Sequence, residues 1–410
     1  MRGPNSQYNP SIDHMRAFAA LLILYYHAHE GLLPALTGAS KYESPVTLNP
    51  LYGLMVEGHT AVGLFMVLSG FIFTSSAAGR GIDYGRFMLN RFLRIYPLMI
   101  AVACLAVLLS PANFVFLDML RTLFLFLKFP APFNFGPIMD IFPWTSTFWT
   151  IVPEFQFYLI FPFLMLLLNR SGALPLFVIW MTALATRIAI AISFRDVTHL
   201  SYWTLFGRID EFLVGMLIAH WWNGLSSNDR SISSVFFPVP CVVILTILLA
   251  FNAAGGVDAE SRWRAAWPTI EGCMWGAFVV IYMDLGKRLP SVISRALTTI
   301  GEASYSIYLL HTAILTLLIP TVLSAYGHSP DAGLKPAAAS FILTTFLLAP
   351  AVIAVSMITY RLIERPFLNL RVHYLRDLSP MAGPTAMSSR SIGLKLRRAR
   401  NARAGYNTEG

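Results

Sequence analysis

Long apolar runs separated by short polar segments dominate this chain. Ten runs approach the length of about 20 residues that an α-helix needs to cross a bilayer. They are 15–33, 58–78, 95–112, 148–168, 173–194, 204–222, 235–252, 268–285, 303–325 and 338–362. The pattern predicts an all-α fold, a polytopic membrane helix bundle of about ten transmembrane helices. We assign residues 11–368 to this single membrane domain.

One further apolar stretch, 113–130, departs from this pattern. It contains Asp118, Arg121 and Lys128 and is followed by the proline-rich PAPFNFGP. Counting it as an eleventh span would place the basic C-terminal tail outside, against the tendency of Lys and Arg to stay on the cytoplasmic side. We therefore expect a re-entrant or interfacial segment there, with both chain termini cytoplasmic and the segments 34–57 and 113–147 facing outward.

Composition agrees with a membrane protein. Of the 410 residues 56% are hydrophobic and 12% are charged, whereas soluble domains are about a quarter charged. The three cysteines, Cys104, Cys241 and Cys273, are scattered along the chain and indicate neither a disulfide framework nor a metal site. The net charge of +9 reflects a basic tail, 369–410, which we expect to be disordered, cytoplasmic and in contact with anionic lipid rather than nucleic acid.

Arg16 and His27 are unusual residues for the first span. They lie eleven residues apart, about three helical turns, so they share one face, and His27 is about 16 Å deeper than Arg16. Ionisable side chains in a membrane face the protein interior and commonly mark function. A hydrogen-bonded structural histidine and an interfacial arginine are the alternatives. We expect His29, beside Glu30, to be solvated.

The fourth span carries Glu154, in FWTIVPEFQFY. It has no basic neighbour in the local sequence, so it needs a distant partner or a proton, and either makes it a candidate acid/base group. In the sixth span, Arg208 and Glu211 are spaced to pair along one helix face. We expect Glu271 to be interfacial. Ser69-Gly70 is typical of a close-packing site between membrane helices.

Seven segments together resemble a known family. They are SIDHMRAFAALLILYYHAHEG, GLFMVLSGFIF, FMLNRFLRIYPL, FWTIVPEFQFYLIFP, GRIDEFLVGMLIA, GEASYSIYLLH and LIERPF. In this order they are similar to the motifs of the acyltransferase 3 family of integral membrane acyltransferases, across residues 11–368. Arg16 and His27 match its first block, and FMLNRFLRIYPL its arginine-rich loop. His14, where the family often has Gly, could alter the entry to the cofactor site, and Pro153 before Glu154 could bend the fourth span.

The resemblance implies ten spans with cytoplasmic ends and an enzyme of a bacterial cytoplasmic (inner) membrane. It implies transfer of an acyl group, most often acetyl, from cytoplasmic acyl-CoA to a hydroxyl of an extracytoplasmic carbohydrate. The implied partners are acyl-CoA, this carbohydrate acceptor and membrane lipids, without a metal.

Residue roles follow from combining the resemblance with chemistry. A sugar hydroxyl must lose its proton as it attacks a thioester, and histidine is suited to take it. We expect His27 to be this base or to accept the acyl group itself. Glu154 would orient the imidazole or bind the acceptor. We expect Arg16 to be the third catalytic residue. The remaining expected roles are donor binding for Arg91, Arg94, Tyr305 and His311, and substrate binding for Asp13, Trp149 and Arg208.

A proton-coupled transporter or flippase is the competing class, because transporters also place Arg, His and Glu inside the membrane. No matching pair of broken spans occurs in the two halves of the sequence. A non-catalytic scaffold would not need Arg16, His27 and Glu154 together. Acyl transfer must consume a donor and transport need not, so donor consumption distinguishes the two classes.

Overall fold

The computed structural model describes residues 9–40, 42–109, 144, 147–194, 197–225, 238–256, 261–326 and 335–377. The helices are α1 Pro10–Thr37, α2 Pro50–Val56, α3 Ala61–Ala77, α4 Tyr84–Leu109, α5 Phe148–Ser171, α6 Leu174–Ser193, α7 Thr198–Trp203, α8 Leu205–Gly224, α9 Pro238–Ala253, α10 Trp267–Leu285, α11 Ser291–Glu302, α12 Ser304–Tyr326 and α13 Pro336–Leu368. Two short strands, β1 Arg80–Ile82 and β2 Leu375–Asp377, form one antiparallel ribbon. The predicted all-α class is confirmed apart from this ribbon, and the segment 113–130 lies outside the described residues.

Each of the ten predicted spans overlaps a helix. Six helical segments among the described residues are long and apolar enough to cross a bilayer. They are Gly58–Ala77, Tyr84–Leu109, Phe148–Ser171, Leu174–Ser193, Ser304–Tyr326 and Pro336–Leu368. The chain is therefore an integral membrane protein. Helices α1 and α8 are not among the six, and both contain the charged and polar residues that the sequence singled out.

Helix α1 is central to the bundle and packs against α3, α10, α11, α12 and α13. Asn9 caps its start by accepting a hydrogen bond from the backbone N–H of Ser11 at 3.0 Å, and Gly38 ends it in the left-handed conformation, with φ of 73°. We call the end of the bundle that contains Asn9 and the β ribbon the N-terminal end, and the end that contains Gly38 the far end.

Helix α4 begins at Tyr84, well before the predicted start of the third span at residue 95. The Asp83 side chain accepts the backbone N–H of Arg86 at 3.1 Å, and this cap starts the helix. Arg91 and Arg94, expected on a loop, therefore lie on α4, and this expectation was wrong.

Helices α3 and α8 approach each other at backbone distance. A Cβ added at Gly70 would lie 2.1 Å from the carbonyl oxygen of Phe212, and one at Gly215 would lie 2.1 Å from that of Val67. Only glycine fits at such crossings. The predicted close-packing role of Ser69-Gly70 is confirmed.

Buried ion pairs connect the helices of the far half. Arg187 donates to both carboxylate oxygens of Asp210, at 2.9 and 2.5 Å. Arg208 donates to Glu211 at 2.6 Å, as its spacing predicted, and to Glu271 at 2.9 Å. Glu271, expected to be interfacial, is thus fully buried within the bundle and paired with Arg208.

The chain continues in folded form beyond the last helix. Helix α13 contains two π-helical turns, Thr344–Leu348 and Tyr360–Glu364. Residues 369–377, which we call the C-terminal strap, then turn back so that β2 pairs with β1, with Arg80 opposite Asp377 and Ile82 opposite Leu375. We expected the disordered tail to start at residue 369, but residues 369–377 form the folded strap. Residues 378–410 lie outside the described part of the chain.

Candidate active site

A cavity extends from the N-terminal end into the bundle. Helices α1, α3, α4, α5, α11, α12 and α13 and the strap line it, and the space free of atoms in it, together with the solvent at its opening, amounts to about 1230 Å³. Its charged lining residues are Asp13, Arg16, Arg91, Arg94, Glu154, Glu302 and Arg371, and its tyrosines are Tyr158, Tyr305, Tyr308 and Tyr360. This polar lining inside a membrane helix bundle makes the cavity the leading candidate for a binding site.

Arginines form one wall of the cavity. Arg16 pairs with Asp13 at 3.3 Å, and Arg94 forms an ion pair with the buried Glu364. The guanidinium of Arg91 lies 4.6 Å from the centre of the Phe73 ring. Within the described residues its buried Nε has no hydrogen-bond partner. Arg91 is therefore available to an anion, whereas Arg94 is already paired.

Aromatic hydroxyls accompany the arginines. Tyr305 lies beneath the Arg94 guanidinium, 5.3 Å from it, and its hydroxyl donates to the carbonyl oxygen of Ile95 at 2.8 Å. Tyr305, which we expected to bind the donor, thus lines the cavity. Its hydroxyl is held by α4, so the ring is fixed at the same level as Arg94.

Glu154 faces the same cavity from α5. Its Oε1 accepts hydrogen bonds from the hydroxyls of Ser69, at 3.4 Å, and of Tyr158. The sequence predicted that Glu154 has either a distant partner or a proton. In the structure its distant partners are these two hydroxyl groups. Glu154 makes no contact with His27 among the described residues, so the structure does not give it the expected role of orienting that imidazole.

His27 instead pairs with His311. Its Nδ1 lies 3.1 Å from the carbonyl oxygen of Ile23 and 3.2 Å from Nε2 of His311, whose own Nδ1 lies 2.7 Å from the carbonyl oxygen of Tyr308. A carbonyl oxygen can only accept, so each Nδ1 carries the proton. His311 Nε2 then accepts from His27 Nδ1–H, which leaves the lone pair of His27 on Nε2.

The free Nε2 of His27 faces the far end. The His27 side chain is 31% exposed, and its Nε2 lies 4.0 Å from the carboxylate of Glu30. Both atoms are acceptors, so a hydroxyl group that enters there can donate to either of them. This is the arrangement that a general base requires.

Tyr308 separates the cavity from the histidine pair. It lines the cavity on one side, and on the other its ring centre lies 5.7 Å from that of His311. The hydroxyls of Tyr308 and Thr150 lie 2.6 Å apart, and the ring packs edge-on against Phe65. One side-chain layer thus stands between the arginine-walled cavity and His27.

Two of the three residues expected to bind substrate lie outside this cavity. Asp13 lines it, beside Arg16. Trp149 packs at the far end against Tyr202 and Trp203, with ring centres 5.1 and 4.4 Å apart. Arg208 is buried against its two glutamates, so its observed contacts are those of a structural ion pair.

Two further expectations concern histidines of α1. His29, expected in solvent, is fully buried between the hydroxyls of Ser340, at 2.9 Å, and Tyr52, at 3.0 Å, so that expectation was wrong. His14 contacts Ser294 at 3.0 Å and does not line the cavity. The structure therefore gives no support to an effect of His14 on the entry to the donor site.

The sequence did not reveal three residues of the site. Tyr158 and Glu364 belong to recognised motif blocks, FWTIVPEFQFYLIFP and LIERPF, but their contacts with Glu154 and Arg94 arise only on folding. Arg371 was assigned to the tail. The described residues contain no cluster of His, Cys, Asp or Glu that could hold a metal ion.

Comparisons with known proteins identify the family. A family model described as an acyltransferase domain, acyltransferase 3, matches residues 9–361. An uncharacterised Haemophilus influenzae protein is 28% identical over 238 residues, 53% of this chain and 96% of its own length. A Staphylococcus aureus protein provisionally named an O-acetyltransferase is 21% identical over 420 residues, 92% of this chain and 61% of its own length.

A Bacillus subtilis protein, YrhL, provisionally named a peptidoglycan O-acetyltransferase, is 25% identical over 348 residues, 77% of this chain and 50% of its own length. This chain thus spans between half and two thirds of the two named relatives. No solved structure matches. Because the family model covers most of the residues, including the histidine pair and all of the cavity wall up to Tyr360, this chain belongs to the acyltransferase 3 family and is an acyltransferase.

Proposed function

We propose that this protein is a membrane O-acyltransferase that moves an acyl group, most simply acetyl, from acyl-CoA to a hydroxyl of a carbohydrate. In this proposal the N-terminal end and both termini are cytoplasmic, ten helices cross a bacterial cytoplasmic (inner) membrane, and the far end meets the acceptor. One observation carries the proposal. The arginine-walled cavity ends at Tyr308, and the free Nε2 of His27 lies just beyond it.

The cavity suits the donor. Guanidinium groups bind phosphates through charge and paired N–H donors, and Arg16, Arg91 and Arg94 stand where the phosphates of CoA would enter. The space between Arg94, with Tyr305 beside it, and Tyr308 at the inner end of the cavity would hold the pantetheine arm and its thioester. Glu154 lies on the donor side of Tyr308, so its proposed role is at the donor rather than at the acceptor.

His27 Nε2 would carry out the proton transfer. As the acceptor oxygen forms its bond to the thioester carbonyl carbon, its proton moves to His27 Nε2. The carbon–sulfur bond then breaks, and the thiolate takes the proton, which yields an ester and free CoA. In the alternative route, Nε2 itself attacks the carbonyl carbon and the carbon–sulfur bond breaks, which releases the CoA thiolate. The hydroxyl oxygen then attacks the acyl group, the bond from Nε2 to the acyl carbon breaks, and the hydroxyl proton neutralises the thiolate. Both routes need Nε2 unprotonated, as the contacts of Nδ1 arrange.

Aromatic side chains at the far end suit a carbohydrate. Trp149 and Trp203 lie in contact there, and Trp203 is 42% exposed. Aromatic faces with a polar edge are well suited to pack against sugar rings. The acceptor class therefore comprises cell-surface and secreted glycans, and the name of the Bacillus subtilis relative adds peptidoglycan to it.

The proposal is tested by measuring esters on the host's surface glycans. Proton NMR and mild-base release would be compared in cells that express wild type, His27→Ala, His220→Ala or no protein. His220 is an exposed histidine of α8 and serves as the matched control. We expect an ester signal with wild type and His220→Ala and its loss with His27→Ala at equal membrane expression.

A parallel assay follows consumption of labelled acyl-CoA in membrane vesicles. Wild type should consume the donor only when the glycan acceptor is present. Identical glycan esters in all four strains, with no donor consumed, would contradict the proposal and favour a transporter.

A further inference from the structure

The C-terminal strap is held firmly against the N-terminal end. The Asn90 side chain binds the backbone of Val372 twice, donating to its carbonyl at 2.7 Å and accepting its N–H at 2.9 Å. Tyr374 is buried against the Phe87 ring, with ring centres 5.3 Å apart. Together with the β ribbon, these contacts fix the path of the strap beneath α4.

This path places Arg371 in the wall of the cavity. Its Nε donates to the carbonyl of Leu368 at 2.9 Å, which orients the guanidinium. Its two terminal nitrogens make no hydrogen bond to any residue that the structure describes. Within the described part of the chain, no carboxylate forms an ion pair with Arg371. The side chain is thus held by the end of α13 with no carboxylate in direct contact, and the buried Glu364, which pairs with Arg94, acts on it only at longer range.

The other arginines of the wall add to the excess of positive charge around Arg371. Arg16 and Arg94 have carboxylate partners. Among the described residues, Arg91 packs on aromatic rings and its buried Nε has no hydrogen-bond partner. Burial, followed by the like charges of Arg94, Arg91 and Arg16, lowers the pKa of Arg371. The charge of Arg371 is therefore less well stabilised than it would be in water, and an anion placed between Arg91 and Arg371 would relieve that cost. The carboxylate of Glu302 lines the same cavity and would have to stay clear of such an anion.

We propose that Arg371, together with Arg91, binds a phosphate group of the acyl-CoA donor. This inference rests on the proposed function, because it takes acyl-CoA as the ligand of the cavity. It assigns a binding role to the strap, which lies beyond residue 361, where the match to the family model ends. The strap is then part of the donor site rather than the start of a tail.

The experiment measures the affinity of the purified, detergent-solubilised full chain for acetyl-CoA by titration calorimetry. Variants are Arg371→Gln, Arg371→Lys and, as matched control, Arg376→Gln. Arg376 belongs to the same strap, but its side chain is 70% exposed and pairs with Asp83 away from the cavity. We expect Arg371→Gln to weaken binding by about 10- to 100-fold, as loss of a charge-assisted contact does. Arg371→Lys should recover part of this loss, and Arg376→Gln should bind as wild type does.

Repeating the titration with CoA that lacks the 3′-phosphate identifies the bound group. If Arg371→Gln then has no effect, Arg371 binds the 3′-phosphate; if the loss persists, it binds the diphosphate. Wild-type affinity in Arg371→Gln for the complete donor would overturn the inference and leave the proposed function standing. Failure of wild type itself to bind acetyl-CoA would instead count against the proposed function.

Discussion

Replacing His311 with leucine tests the histidine pair directly. Leucine has a similar volume but offers no acceptor to His27 Nδ1–H, which now lies 3.2 Å from His311 Nε2. The carbonyl oxygen of Ile23, 3.1 Å from the same Nδ1, remains. The reactive lone pair of His27 therefore stays on Nε2, and the variant loses one hydrogen bond without losing the base.

The size of the effect follows from the charge that develops during catalysis. Once Nε2 takes a proton, His27 is an imidazolium, and its Nδ1–H then donates as a charged group. Hydrogen bonds to charged groups contribute about 1.5–3 kcal/mol. At about 1.36 kcal/mol per tenfold change in rate, His311→Leu should lower kcat by roughly 10- to 150-fold. Since His311 does not line the cavity, KM for the donor should not change.

The assay is the initial rate of acyl transfer in proteoliposomes with labelled acetyl-CoA and an isolated glycan acceptor. His27→Ala, which removes the base, should lose about 100- to 10,000-fold, and His220→Leu should keep the wild-type rate. An unchanged kcat in His311→Leu would refute the role of the pair. A loss as large as that of His27→Ala would also refute this reasoning, because His311 would then act as the base itself.

Two predictions concern stability and are measured by thermal unfolding of the detergent-solubilised protein. Gly70→Ala should destabilise by at least about 1–3 kcal/mol, because the new methyl meets a backbone carbonyl of α8 that cannot turn aside, whereas Gly224→Ala, where a methyl meets nothing within 4 Å, should not. Equal melting temperatures for these two variants would contradict the close crossing of α3 and α8. Asp210→Asn should cost about 3–5 kcal/mol, because it leaves the fully buried Arg187 guanidinium without its counter-charge. The control Asp284→Asn removes a partly exposed pair and should cost less than about 1 kcal/mol, so a small loss in Asp210→Asn would contradict the buried ion pair.

Interactions within one helix were accessible from the sequence. The spacing of Arg208 and Glu211 predicted their ion pair, and the structure shows it. The three-turn spacing of Arg16 and His27 predicted a shared face directed inward, and Arg16 lines the cavity while His27 contacts α12. The periodicity of one helix is enough for such predictions, because at 3.6 residues per turn residues that are three, four or eleven apart lie on the same face.

Interactions between distant helices were not accessible. His29 appeared solvated because Glu30 follows it, but its partners Ser340 and Tyr52 come from other parts of the chain. The sequence around Glu271 likewise did not predict its contact with Arg208. No local pattern encodes which helices touch, so the pairing of His27 with His311 also had to come from the fold.

The strap was missed for a related reason. Five of its nine residues are polar or charged, and a basic segment after the last span usually indicates only that this end of the chain is cytoplasmic. One of the contacts that hold it is made by the Asn90 side chain, which binds the backbone of Val372 and not its side chain. Such a contact leaves no pattern in the sequence of the strap itself.

The π-helical turn Tyr360–Glu364 near the end of α13 fixes the angular register of everything that follows. A π turn contains one residue more than an α-helical turn, and each residue of an α-helix rotates the chain by about 100°. Deleting the extra residue there would restore a regular α-helical turn with little change in the direction of the segment beyond it, whereas deleting a residue from the regular part of α13 would rotate that segment by about 100°. A natural relative that keeps the same strap can therefore be one residue shorter at this turn, but the same deletion elsewhere in α13 would take Arg371 away from the cavity.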